Sequence, residues 1–108
     1  MKKIFAMLFC ACGIANAQTP HHCSADAGKQ AQRLLAFHFN QQDDRIEIDK
    51  KITVLPSIRN PANKNQSFDV LEVWGHIYKG QYRMRFIYAQ IKNDCALMGE
   101  EILEFASL

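Results

Sequence analysis

The stretch from Phe68 to Ile91 constrains this chain more than any other. Two runs rich in β-branched and aromatic residues, Phe68–Tyr78 and Gln81–Ile91, flank Lys79-Gly80, which reads as a two-residue hairpin turn. A turn at Lys79-Gly80 places Leu71, Val73, Gly75 and Ile77 on one face with Tyr82, Met84, Phe86 and Tyr88. Glu72, Trp74 and His76 fall on the other, opposite Ile87, Arg85 and Arg83. A one-residue slip would carry Arg83 and Arg85 onto the apolar face, because side chains alternate along a strand, so the segregation selects this set of faces.

Elements on either side follow the same logic. Ala27, Ala31, Leu34, Leu35 and His38 recur at helical spacing, with Lys29, Gln32 and Arg33 opposite. This predicts a helix from Ser24, as N-cap, to about Phe39, with Asp26 placed where a negative charge suits the helix dipole. Ile46, Ile48, Ile52 and Val54 alternate with charged residues and predict a half-buried strand, in which Lys50 is a misfit that marks a bulge or break. Pro56 ends regular pairing, and residues 60–66 (Asn-Pro-Ala-Asn-Lys-Asn-Gln) read as a loop. A second turn at Asn93-Asp94 gives a fourth strand with Cys95, Leu97, Leu103 and Phe105 on the apolar face, and Glu104 opposite Arg83 on the other. Glu101 then sits badly opposite Phe86 unless Gly99 hosts a bulge, and a helix over residues 96–106 is the competing reading. The expected fold is α+β: one N-terminal helix packed on a four-stranded antiparallel sheet.

The N-terminus bears on compartment. Lys2-Lys3, an apolar stretch from Ile4 to Ala15 and the small-x-small Ala15-Asn16-Ala17 follow the order of a cleaved secretory signal peptide, over residues 1–17. The apolar run is too short to span a bilayer of about 30 Å, and the residues before Cys10 and Cys12 do not suit lipid attachment. Residues 18–22 then read as a disordered leader and 23–108 as a single domain. Loss of Lys2 and Lys3 brings the 13 Lys and Arg down to match the 11 Asp and Glu, so the mature domain is neutral and its charge gives no case for nucleic acid. The expected location is the periplasm or the secreted medium, with no stable membrane insertion after cleavage.

Of four cysteines only Cys23 and Cys95 remain in the mature chain. In an exported small domain they are expected to form a disulfide, worth roughly 4 kcal/mol in the chain-entropy model. Because Cys23 precedes the helix and Cys95 points to the apolar face, the bridge would staple the helix start to the sheet.

No residue pattern carries a recognisable catalytic chemistry. Ser24, Ser57, Ser67 and Ser107 lack a nucleophile-elbow context, and zinc-protease, phosphate-loop and calcium-loop motifs are missing from the sequence. His21-His22-Cys23 suggests a metal, but pairing of Cys23 removes one ligand. An amino-terminal copper site needs His third from the free amine, whereas cleavage after Ala17 leaves His21 fourth, and Pro20 has no amide proton. No cofactor or metal is therefore expected. His38 reads as a core histidine.

The remaining candidate is the second sheet face: Trp74, His76, Tyr78, Arg83 and Arg85, with Glu72, Glu100 and Glu104. Cross-strand ion pairs and a Trp74–Arg85 cation–π contact would make it self-satisfied, yet Trp, Tyr and Arg together are the residue types of binding hot spots. The leading expectation is a small, non-enzymatic exported protein that binds a protein or another envelope component through this face. The rivals are a small envelope enzyme using His38 or His76 with a carboxylate, and a structural subunit that homodimerises through the Phe68/Val70/Ile91 end. Intact mass of the exported protein is predicted to match a chain beginning at Gln18 that gains no mass on alkylation; two alkylated thiols would refute the bridge.

Overall fold

A computed structural model describes residues 20–40, 45–78 and 80–105; the signal-peptide reading falls outside these residues. The chain runs through helix α1 (Ser24–His38) and strands β1 (Glu47–Asn60), β2 (Asn63–Ile77), β3 (Gly80–Ile91) and β4 (Asp94–Phe105). The strands form one antiparallel meander in the order β1-β2-β3-β4, and α1 packs on one face over β1, β2 and β3. The α+β architecture is the expected one, and residues 96–105 are strand, not helix.

The core lies between α1 and the sheet. Ala27, Ala31, Leu34, Leu35 and Ala36 of the helix meet Leu71, Val73, Ile77, Tyr82, Met84, Phe86 and Tyr88. Gly75 allows the close approach: a Cβ there would lie 2.9 Å from Leu35 Cδ2 and 3.0 Å from Met84 Cε. Cys23 is fully buried and bonded to Cys95 across a sequence separation of 72, with Cα atoms 5.9 Å apart. It also occupies the N-cap position expected for Ser24, and no side chain caps the helix there. Covalent attachment fixes this end in place of a capping hydroxyl.

Further ties follow along the helix. The Tyr88 hydroxyl donates to Asp26 Oδ2 at 2.8 Å, Arg33 Nη2 donates to Glu100 Oε1 at 2.6 Å, and His38 Nε2 lies 3.4 Å from Glu104 Oε1. His38 is exposed and not a core residue, its ring edge-on to Phe39 and Tyr82.

Both late turns lie one residue earlier than the sequence suggests. Ile77 pairs with Gly80, and Tyr78 takes the left-handed conformation (φ 54°). Gly80 belongs to β3, paired with Ile77 and without a positive φ, and the Tyr82 ring lies against it: a Cβ would sit 2.7 Å from Tyr82 Oη. The register therefore moves by two, which leaves every side chain on its expected face but changes partners: Trp74 pairs with Arg83 and Glu72 with Arg85. At the next turn Lys92 (φ 53°) and Asn93 (φ 68°) are both left-handed, the backbone of a primed hairpin turn, and Ile91 pairs with Asp94.

One placement is overturned. Tyr88 pairs with Leu97 but Ile87 pairs with Gly99, leaving Met98 as an extra residue in β4. This bulge reverses the alternation beyond it. Glu100 and Glu104 consequently stand on the helix side, whereas Leu103 and Phe105, expected in the core, lie on the outer face. The bulge also relieves Glu101, which pairs with Arg85.

The β1–β2 hairpin is longer than expected. Residues 60–66 are not a loop: β1 continues to Asn60 and β2 starts at Asn63, with Pro61-Ala62 between. Asn60 Oδ1 accepts the Ala62 N–H at 2.9 Å and Asn60 Nδ2 donates to Gln66 Oε1 at 2.7 Å, so polar side chains brace a largely exposed hairpin end. The register shift at residues 49–51 falls where Lys50 marked a bulge or break. Pro56 does not end pairing as expected: it sits in a local shift on this edge strand, and pairing resumes at Ile58 and continues to Asn60.

Burial, the hydrogen bond to Asp26 and the charges of Asp26 and Glu100 push the Tyr88 hydroxyl pKa well above its ordinary value; burial and Glu104 also raise Tyr82. Tyrosines freed by unfolding ionise near about 10. Stability from these groups is thus complete below that pH and lost as pH rises through the folded-state pKa values. Denaturant titrations between about pH 8 and pH 11.5 are predicted to show this decline, with a shallower slope for Tyr88→Phe; an equal slope in the variant would contradict the assignment.

Candidate functional site

Alternate residues of the sheet point away from the helix and form the outer face. Across β2, β3 and β4 its rows read Val70–Ile87–Gly99, Glu72–Arg85–Glu101, Trp74–Arg83–Leu103 and His76–Gln81–Phe105. Trp74, His76, Arg83 and Arg85 stand in these rows, with contacts that differ from those expected, whereas Tyr78 lies beyond them in the β2–β3 turn.

Glu72 is the hub. Its Oε1 accepts from Trp74 Nε1 at 3.3 Å and its Oε2 from Arg85 Nε at 2.9 Å. Arg83 Nε lies 3.9 Å from the same Oε2, and Arg85 Nη1 lies 3.8 Å from Glu101 Oε1. Trp74 packs against Phe105 at 5.4 Å between ring centroids, and Arg83 Cζ stands 5.7 Å from the Phe105 ring. The arginine–aromatic contact of this face is thus Arg83 with Phe105, not the expected Trp74 with Arg85. Glu100 and Glu104, expected here as ion-pair partners, face the helix instead.

His76 and Tyr78 lie at the margin. His76 Nε2 is 3.3 Å from Asp49 Oδ1 of β1. Tyr78 occupies the turn with its ring exposed, and the Arg45 guanidinium stacks on it at 3.9 Å. At the far end of the face Phe68 is half-buried, Val70 is buried and Ile91 is exposed. Sequence patterning missed Leu103 and Phe105, which are 48% and 41% exposed and complete an apolar rim around Arg83. The signal was the Glu101 misfit, since the bulge that moves Glu101 to Arg85 necessarily moves Leu103 and Phe105 as well.

Three histidines face carboxylates, the arrangement an acid–base enzyme requires. His38–Glu104 and His76–Asp49 are surface pairs outside the open cavity of about 480 Å³, which is lined by His21, Ser24, Lys50, Lys51, Ile52 and neighbours. His21 does line it, and its Nε2 is 3.1 Å from Asp69 Oδ2. Its Nδ1, however, accepts the Cys23 N–H at 3.0 Å. That bond requires the proton on Nε2, shared with Asp69, so neither nitrogen offers a free lone pair to a base role or a metal. His21, His22 and Cys23 have ligand atoms within 4.8 Å of one another, yet Cys23 is in the disulfide and His22 Nε2 pairs with Gln90 Oε1 at 2.7 Å. His21 and His22, read from sequence as leader, are thus hydrogen-bonded to β2 and β3 and extend the helix-start anchor.

These features define a disulfide-stapled α+β domain in which, among the described residues, nothing covers one sheet face. Comparison with protein-family models, with curated proteins and with solved structures finds no match.

Glu72 is only 14% exposed, accepts from two donors, Trp74 and Arg85, and has Arg83 Nε 3.9 Å away. Replacement by Ala would leave the Trp74 and Arg85 donors without an acceptor, at about 1–3 kcal/mol. Glu72→Ala is predicted to lower unfolding free energy by that amount and to shift the emission of Trp74, the sole tryptophan, with Glu72→Gln losing less. An unchanged midpoint and spectrum for Glu72→Ala would contradict the hub role.

Proposed function

We propose that the protein is an exported, non-enzymatic binding module that seats a protein or another envelope component on its outer sheet face. The observation that carries this reading is the composition of that face beside Arg83. Leu103 and Phe105 are exposed next to Trp74, and among the described residues no second layer covers them. A sheet that packs a helix on one side ordinarily turns polar residues to water on the other. Aromatic residues and arginine clustered on an open face instead suit recognition, where Trp and Arg dominate binding energy. The Cys23–Cys95 bond suits an oxidising compartment and agrees with the signal-peptide reading of residues 1–17.

Affinity capture from envelope extract with the mature, oxidised protein tests the reading. Trp74→Ala and the double Arg83→Ala/Arg85→Ala variant are predicted to fold, as judged by far-UV circular dichroism, and to lose the captured partner. Equal capture by a folded variant would remove this face from the function.

A further inference from the structure

Arg83 is the one described residue whose side chain has a buried nitrogen with no hydrogen-bond partner: its Nε is shielded from solvent and unmatched. The nearest carboxylate, Glu72, is 3.9 Å away, beyond hydrogen-bond reach, and its two oxygens already serve Trp74 and Arg85. Glu101 lies beside Arg85, not Arg83, and is 57% exposed at the rim. The inner cluster therefore holds two guanidinium groups against one well-placed carboxylate. Arg83 is flanked in register by Trp74 and Leu103 and lies near the Phe105 ring.

An arginine offers five donors in a planar fork, and with Nε shielded from solvent an incoming carboxylate meets Arg83 end-on, at its two Nη groups. Among the described residues no carboxylate lies within hydrogen-bond reach of Arg83. From this geometry we infer that the outer face recognises an acidic protein segment, in which an Asp or Glu flanked by aliphatic or aromatic residues accepts from the Arg83 Nη groups. The inference rests on the outer-face reading above and specifies the chemistry of its partner. The carboxylate supplies the charge that Glu72 cannot share, and the flanking side chains cover Trp74, Leu103 and Phe105. Desolvation of the arginine between aromatic walls strengthens the pair relative to a surface ion pair.

The test is selection of a random-peptide display library, with no free peptide C-terminus, on the mature oxidised protein. Enriched peptides are expected to share an Asp or Glu beside apolar residues. Arg83→Gln is expected to weaken their binding at least about tenfold, and Arg83→Lys, which keeps the charge but not the fork, to restore it only in part. Asp→Asn or Glu→Gln exchange in the peptide should give the same loss without altering the protein. Enriched peptides that lack an acidic residue but lose binding to Trp74→Ala would overturn the carboxylate inference and leave the outer-face reading standing. Absence of enrichment, or peptides that bind Trp74→Ala undiminished, would overturn both.

Discussion

A single extra residue in β4, Met98, decides which side chains of that strand's second half meet the helix and which join the outer face. Strand side chains alternate strictly, so one inserted position exchanges the inner and outer sets for the rest of the strand. The helix covers β1, β2 and β3, which leaves the inner side of β4 at the rim of the core. Carboxylates can stay hydrated there while meeting the helix, and Glu100 and Glu104 do so through Arg33 and His38. The same exchange brings Glu101 to Arg85 and sends Leu103 and Phe105 outward beside Trp74 and Arg83. Helix anchoring and the character of the outer face are two results of one backbone irregularity.

The helix is held along its length by bonds of different kinds. A buried disulfide fixes its start, the Tyr88–Asp26 hydrogen bond follows in the first turn, and the two rim pairs act further along. Exposed ion pairs such as these contribute at most about 1 kcal/mol each. The bridge and the apolar contacts around Leu35, Val73 and Phe86 carry the main stabilisation. Gly75 lets that packing close, since any side chain there would press on Leu35 and Met84.

Much of this was legible in the sequence because periodicity is strong where one face is buried. The α1 stripe, the alternation over residues 68–91 and the pairing of Cys23 with Cys95 gave the architecture and the correct faces of β2 and β3. Turn positions were not legible: glycine at position 80 suggested a turn, whereas it pairs with Ile77 without a positive φ and Tyr78 takes the left-handed conformation. Residues 60–66 read as loop because asparagine and proline signal turns, but a hairpin end exposed on both sides needs no apolar alternation to persist. The faces of β4 were lost to Met98, which nothing in its own chemistry marks as a bulge residue. Trp74, His76, Arg83 and Arg85 lie in the outer-face rows and Tyr78 in the adjoining turn, while Leu103 and Phe105 were assigned to the core.

The proposed function depends on these two residues lying outside. If Leu103 and Phe105 filled the core, the outer face would keep Trp74 and its charged neighbours but lose the apolar rim around Arg83. Nuclear Overhauser contacts of the Phe105 ring in the mature, oxidised protein test this most directly. The account predicts contacts between Phe105 and Trp74 ring protons, whose centroids are 5.4 Å apart, and from Leu103 to Arg83. Contacts from Phe105 to the core side chains Met84 and Leu35, with none to Trp74, would contradict it.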